Sequence, residues 1–233
     1  MRPSEQLKQT CIDDWLKATN HPFCIELADG SLALDKMRVY LAQDYTFIDN
    51  FVRLAASAIH HAPSLPDRLP LAHFLGNIAG PENTYFQRSF DILSVADSKR
   101  TAPKLLTPTS DFQALMLKAA NSGEYGNMVA VLCVAEWVYL SWAQPVFERT
   151  DYAKLIKTLP FYFGEWVNLH SGEYFESVVD HLRTQLDIAF NNADVQQQQS
   201  KRLANHTYNL IFHGNKLSIS GSGLHSSSRQ ALT

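Results

Sequence analysis

The chain has 233 residues, of which 45% are apolar and 18% charged, so it is long enough for one large domain or at most two small ones. A net charge of −3 without a basic stripe excludes nucleic acid as an expected partner. We expect neither a signal peptide nor a membrane span, because no suitable apolar run is present. The widely spaced Cys11, Cys24 and Cys133 argue against a disulfide framework or a cysteine metal site and favour the cytoplasm.

The first predicted element is one amphipathic helix over "PSEQLKQTCIDDWLKATN". Its apolar residues recur at steps of three and four, which is the helical period, and they are Leu7, Cys11, Trp15 and Ala18. The "HPF" that follows interrupts the pattern.

A long helix is predicted next, from the "DG" turn at 29–30 to Pro63. Ser31 or Asp35 is its candidate N-cap. Two further helices cover "LPLAHFLGNIAG" and "PENTYFQRSFDILSVA", with Pro81 expected in the first turn of the second.

The remaining predicted helices continue the same pattern. "TPTSDFQALMLKAANSG" has polar capping residues before it and a glycine stop, and "YGNMVAVLCVAEWVYLSWAQP" is apolar throughout and is expected to end at Pro145. Two more helices in "FYFGEWVNLHSGEYFESVVDHLRTQLDIAFNNA" are separated at "HSGEYF". We therefore predict an all-α bundle over residues 1–194.

The segment 195–233 differs in composition from the rest of the chain. It holds four basic side chains and no acidic ones, and its second half is rich in glycine and serine without periodicity. We expect this atypical C-terminal segment to be partly disordered.

An acidic residue interrupts the apolar helix at "VLCVAEWVYLSWAQP". Cys133, Glu136 and Tyr139 follow one another at steps of three and are expected to share a helix face. A buried acid must be hydrogen-bonded or protonated. Glu136 is therefore either a structural hydrogen-bonding centre or an acid–base group, whereas Cys133 fits a small core residue better than a nucleophile.

A second group of residues surrounds Asp44 on the long helix. Tyr40, Phe47 and Phe51 lie on its face at helical spacing. Aromatic rings and a carboxylate suit a flat, nitrogen-rich ligand, which the rings stack on and the carboxylate binds through its N–H groups. The alternative is an aromatic core stripe in which Asp44 caps or bridges helices. The histidines show no metal-binding spacing, so neither a metal nor another cofactor is predicted.

Three blocks, "HPFCIELADGSLALDKMRVYLAQDY", "AVLCVAEWVYLSWA" and "EWVNLHSGEYFESVV", resemble the TenA family of thiaminase II and related aminopyrimidine hydrolases over roughly residues 5–190. The resemblance implies an all-α, haem-oxygenase-like bundle that is cytoplasmic and forms a homo-oligomer, a tetramer or a dimer. It also implies hydrolytic salvage of the pyrimidine half of damaged thiamine, with an aminopyrimidine as the small-molecule partner.

The resemblance distinguishes two branches of that family by one position. The catalytic cysteine of the better-known branch falls at Ala135 when the chains are aligned on Trp137. Glu136 then matches the glutamate that stands beside the lost cysteine in the other branch. Cys133 matches no site position.

Other positions carry over one at a time. The resemblance makes Asp44 the pyrimidine anchor and a catalytic residue, and it sets Phe47 and Phe112 against the pyrimidine ring. Tyr139 is the catalytic tyrosine one turn past Glu136. Two further substrate-binding positions are matched by His170 and Glu82.

One departure concerns the C-terminal segment. The family closes with a helix resembling "LE..FF.A", whose glutamate is a catalytic acid–base, but this chain has no acidic residue after Asp194. A shifted reading frame near the end is one explanation. The other is a degenerate pyrimidine-binding or regulatory protein with little turnover. A haem or di-iron oxygenase on the same bundle is a third reading, but it lacks a ligand set.

Overall fold

The computed structural model describes residues 1–192, and every regular element in that range is helical. The elements are α1 (Pro3–Thr10), α2 (Ile12–Thr19), α3 (Pro22–Asp29), α4 (Leu34–His61), α5 (Leu65–Asn77), a π-helical turn (Ile78–Glu82), α6 (Asn83–Ile92), α7 (Asp97–Thr101), α8 (Thr107–Ala120), α9 (Tyr125–Phe147), α10 (Tyr152–Leu155), α11 (Phe161–Leu169) and α12 (Gly172–Asn192). The all-α prediction is confirmed. The predicted boundary at residue 194 and the segment beyond it lie outside the described residues.

The apolar helix α9 is the centre of the bundle. It packs against α12, α4, α8, α11 and α2, and its residues 128–138 are all buried. By length and composition alone α9 could cross a membrane, but 67% of its most apolar stretch is buried inside the fold. That burial is typical of a core helix, which must be apolar on every face because neighbours surround it.

Two hydrophobic clusters share the interior. One includes Leu54, Met116 and Leu182, and the other includes Leu41 and Phe86. Helices α4 and α9 contribute to both clusters. The partly buried side chains of Ile48 on α4 and Tyr139 on α9 pack against both. Side chains that project from the middle of α4 and α9 therefore lie where the two clusters meet.

The first helix is broken where one continuous helix was predicted. The apolar stripe is buried as expected, but the backbone leaves the helical region at Cys11 (φ −127°, ψ 27°), which ends α1 and starts α2. The hydroxyl of Thr10 donates to the carbonyl of Leu7 at 2.6 Å. Such side-chain bonds compete with the helical ladder.

Two predicted helix ends also differ in detail. The N-cap of α4 is Ala33, which provides no side-chain hydrogen bond, so neither Ser31 nor Asp35 is the cap. Asp35 lies in the first turn, where its charge is favourable to the helix dipole. Helix α9 continues past Pro145 to Phe147.

Candidate active site

A π-helical turn joins α5 to α6 without a break. It spans Ile78–Glu82 and contains Pro81, so the prediction that Pro81 begins a separate helix was wrong. The wider π turn tolerates a residue that has no N–H to donate to the helical ladder. Ile78 and Glu82, at its two ends, both line an internal cavity.

The empty space of that cavity, together with the open solvent at its mouth, is about 300 Å³. Because this figure includes open solvent, the enclosed space itself is much smaller than a typical small-molecule pocket. Its walls come from α4, α5, the π-helical turn, α9 and α11 with the residue that follows it. They consist of Asp44, Phe47, Ile48, Phe51, Phe74, Ile78, Glu82, Glu136, Tyr139, Trp166 and His170.

A tyrosine on the central helix α9 forms a hydrogen bond with Asp44. The hydroxyl of Tyr139 donates to Asp44 Oδ1 at 3.2 Å, and the hydroxyl oxygens of Tyr139 and Tyr40 are 3.1 Å apart. Burial raises the pKa of Asp44 to about 7, although both hydroxyls oppose that rise. Near neutral pH this carboxyl therefore exchanges a proton readily.

Two glutamates share the cavity with Asp44. Among residues 1–192, the carboxyl groups of Glu82 and Glu136 form no hydrogen bond, and Glu136 is only 6% exposed. Burial raises the pKa of Glu82 to about 8, with a further contribution from Asp44. Burial likewise holds the pKa of Glu136 well above its usual range, and the charges of Glu82 and Asp44 add to the effect. Ionisation of one carboxyl therefore disfavours ionisation of the other two, so the three are not all ionised at neutral pH.

His170 faces the same cavity as a neutral ring. Its Nδ1 lies 2.9 Å from the backbone carbonyl of Trp166. Because a carbonyl only accepts, Nδ1 must carry the proton, and Nε2 is left as an acceptor. Burial lowers the pKa of His170 to about 4, so the ring is uncharged at neutral pH. It stacks on Tyr139 with ring centroids 4.4 Å apart.

Aromatic rings form the apolar side of the cavity. Phe47 and Phe51 line it, with ring centroids 5.4 Å apart. Phe112 is buried and stacks on Phe47 at 5.0 Å, but it is not part of the lining. Phe112 thus supports the ring that faces the cavity, and the expectation that it faces the ligand itself is not met in this structure.

Cys133 lies away from the cavity. It is 0% exposed, and burial raises the pKa of its thiol. The charges nearest to it belong to Arg183 and Asp187 on α12. Each three-residue step turns a helix by about 60°, so two steps leave Cys133 about 120° from Tyr139. The expectation that Cys133, Glu136 and Tyr139 share one face was therefore wrong, and only the last two reach the cavity.

Sequence reasoning missed several cavity residues. Trp166 lies within a quoted motif but carries no polar pattern, and Phe74 and Ile78 look like ordinary core residues. The glycine and proline in "IAGPE" were a usable signal, since a proline inside a helical pattern marks a local distortion. Tyr40 was expected among the rings facing the ligand, but it lies behind the cavity lining. Within residues 1–192, no group of three His, Cys, Asp or Glu side chains is placed to hold a metal ion.

An all-α bundle of the haem-oxygenase-like kind, enclosing a small acid-lined cavity, is the class of protein that fold and site define. The chain belongs to the TENA/THI-4/PQQC family, whose sequence profile matches residues 11–210. The expected family is thereby confirmed.

Relatives with curated names are similar over most of their length. The chain is 24% identical over 176 residues to the aminopyrimidine aminohydrolase of Halalkalibacterium halodurans, covering 74% of this chain and 75% of that protein. It is 20% identical over 195 residues to the enzyme of the same name from Bacillus subtilis, covering 83% and 79%.

Solved structures show the same fold. The TenA homologue from P. horikoshii superimposes with a TM-score of 0.74 at 17% identity, and the match covers 94% of this chain and 99% of that one. The TenA homologue from Pyrococcus furiosus gives a TM-score of 0.73 at 20% identity, covering 93% and 97%.

Proposed function

We propose that this protein is an aminopyrimidine hydrolase of thiamine salvage, of the branch in which a glutamate stands beside the lost cysteine position. It hydrolyses the bond between an aminomethyl-type pyrimidine and its amine. The observation that carries the proposal is the meeting of Asp44, Glu82 and Glu136 in one cavity beside Phe47. The names of the similar enzymes support the reaction class.

Asp44 is the anchor for the pyrimidine in this proposal. Its carboxylate accepts a hydrogen bond from the amino group, and from a ring nitrogen when that nitrogen is protonated, while Phe47 and Phe51 pack against the ring. Tyr139 holds the carboxylate in place through the 3.2 Å bond to Oδ1. The neutral Nε2 of His170 offers one further acceptor to an N–H of the ligand.

Glu136 and Glu82 divide the proton transfers. The leaving amine needs a proton, and the attacking water must lose one. Glu136, whose pKa is held well above its usual range, keeps a proton at neutral pH and donates it to the amine. Glu82, with its pKa of about 8, is ionised in part of the population and accepts the proton of water. Because the two groups interact, protonation of one favours ionisation of the other.

The assignment of separate roles to Glu136 and Glu82 matters because the C-terminal segment has no acidic residue to carry a proton. Without a second proton carrier the chain would bind a pyrimidine but turn it over slowly. Glu82 supplies that second carrier from within the described residues, and this favours an enzyme over the alternative of a pyrimidine-binding or regulatory protein.

We further propose a cytoplasmic homo-oligomer, a tetramer or a dimer. Three buried, free cysteines agree with a reducing compartment.

A direct assay separates the two functions. The full chain is incubated with an aminomethylpyrimidine, and released ammonia is measured alongside binding by calorimetry. Turnover that is lost in Glu136→Gln supports the hydrolase. Tight binding without ammonia release, equal in both proteins, would instead identify a pyrimidine-binding protein. Thiamine is assayed in parallel to establish whether the intact vitamin is also cleaved.

A further inference from the structure

Tyr40 lies behind the cavity at the end of a chain of hydroxyl groups. Its ring is buried and packs against Phe23, with centroids 4.6 Å apart, and edge-on against Trp166 at 6.0 Å. Its hydroxyl oxygen is 3.1 Å from that of Tyr139, which in turn is 3.2 Å from Asp44 Oδ1. The two phenols and the carboxyl thus form one line from the core to the cavity.

The strength of this line of hydrogen bonds depends on the ionisation of Asp44. Each phenol has a single proton to donate. A carboxylate can only accept, so Tyr139 donates to Asp44 and accepts from Tyr40, and every hydroxyl is satisfied. A protonated Asp44 still accepts at Oδ1, but that bond then lacks the assistance of the negative charge and is weaker. The hydroxyl donors therefore stabilise the ionised carboxyl more than the neutral one.

We propose that Tyr40 is a positioning residue that holds Asp44 in its anionic form and fixes the hydroxyl of Tyr139 toward it. Tyr40 does not itself line the cavity. Its hydroxyl lies against that of Tyr139, and both hydroxyls lower the pKa of Asp44. Its effect is to keep available the acceptor that an aminopyrimidine needs. This inference rests on the proposed function for its biological meaning, because it assumes that Asp44 is the anchor.

Burial and the two neighbouring glutamates, Glu82 on the π-helical turn and Glu136 on α9, act against the ionisation of Asp44. The other titratable side chains around it are Tyr40 on α4, Tyr85 on α6, Tyr139 on α9 and His170 after α11. His170 is neutral, and no lysine or arginine is among the cavity residues of the described chain. The hydroxyl donors therefore provide the stabilisation that a cation provides in other sites.

Titration of the ligand-free protein tests this role. The full chain is labelled with carboxyl-¹³C aspartate, and the Asp44 signal is identified by its loss in Asp44→Asn. In Tyr40→Phe we expect the titration midpoint of Asp44 to rise by about one pH unit, a tenfold change in its acid dissociation constant. The ring is retained in this variant, so packing changes little.

A matched control lies on the same helix. Tyr45 also has a hydrogen-bonded hydroxyl, which donates to Asn83 Oδ1 at 3.2 Å and accepts from Gln87 at 3.0 Å, but it is not part of the cavity. Tyr45→Phe should leave the midpoint of Asp44 unchanged. Tyr40→4-aminophenylalanine, which restores a donor, should return the midpoint toward that of the unaltered protein.

A folded Tyr40→Phe protein with an unchanged midpoint overturns the proposal. If that variant does not fold, Tyr40→fluorotyrosine provides a stronger donor at the same place and must lower the midpoint, and no change again overturns it. Because no ligand or turnover enters this measurement, its failure is distinct from failure of the proposed hydrolase, which would show only in the ammonia assay.

Discussion

Tyr139 on α9 donates a hydrogen bond to Asp44 on α4 across 3.2 Å, although 95 positions separate the two residues in the chain. The bond crosses the place where the two hydrophobic clusters meet. It joins the helix that carries Glu136 to the helix that carries the aromatic wall. The relative position of the two helices therefore determines the geometry of the site.

The contrast between Glu136 and Cys133 gives the first prediction. Glu136→Gln should reduce kcat by roughly 10²–10⁴-fold, because the amide has no acidic proton to donate, while an aminomethylpyrimidine still binds. Cys133→Ala removes a buried thiol from the same helix at a position away from the cavity. It should retain activity with a modest loss of stability. Steady-state kinetics and calorimetry check both, and inactivation through modification of Cys133 would contradict the assignment.

Glu82 provides the second prediction. If it accepts the proton of water, Glu82→Gln should lower kcat strongly and change the affinity for the pyrimidine little. Glu165→Gln, on α11 outside the cavity and paired with Arg88, is the control and should keep full activity. Unaltered turnover in Glu82→Gln would mean that another group activates water.

The pH dependence of kcat/KM follows from the buried carboxyls. Binding needs Asp44 ionised and activation of water needs Glu82 ionised, so the rate should rise with pH through their pKa values of about 7 and about 8. Proton donation needs Glu136 protonated, so the rate should fall as the pH passes its raised pKa. The profile should be bell-shaped. The titration of the substrate amine, measured separately, is the control, and a flat profile across pH 6–8 would rule out a required titration of Asp44 in that range.

The same shift predicts how stability depends on pH. The pKa of Asp44 is about 7 in the folded state, but an aspartate in the unfolded chain loses its proton near pH 3.8. Between these values the folded state binds more protons, so the free energy of unfolding falls as the pH rises. Asp44→Asn, which cannot ionise, should therefore have a Tm several degrees above that of the unaltered protein at pH 8, since each kcal/mol corresponds to about 2–4 °C.

That difference in Tm should be much smaller at pH 4, where the carboxyl is protonated in the folded state and partly so in the unfolded one. The exposed Asp49 on the same helix, which pairs with Arg53 at 3.0 Å, supplies the control substitution Asp49→Asn. Thermal unfolding of the three proteins at both pH values measures the effect. An equal Tm for Asp44→Asn and the unaltered protein at pH 8 would show that the carboxyl is not destabilised by burial.

The sequence by itself determined the helical class and several members of the site. Apolar residues at helical spacing predicted the bundle because that period is a local property of the chain. An acid within the uniformly apolar helix α9 marked Glu136, since such a residue must be buried. The aromatic spacing around Asp44 placed Phe47 and Phe51 beside it, and these residues now line the cavity with Glu136.

Only the tertiary structure decided which face of each helix meets the cavity. Tyr40 and Phe47 lie on one helix near Asp44, but Tyr40 is behind the wall and Phe47 is part of it. Cys133 was separated from Tyr139 because helical rotation accumulates over two steps and α12 covers the side where Cys133 lies. Glu82 depends on a π-helical turn that no local period predicts. The pKa of Asp44, about 7, follows from burial by several helices and from hydroxyl donors that are far apart in the chain.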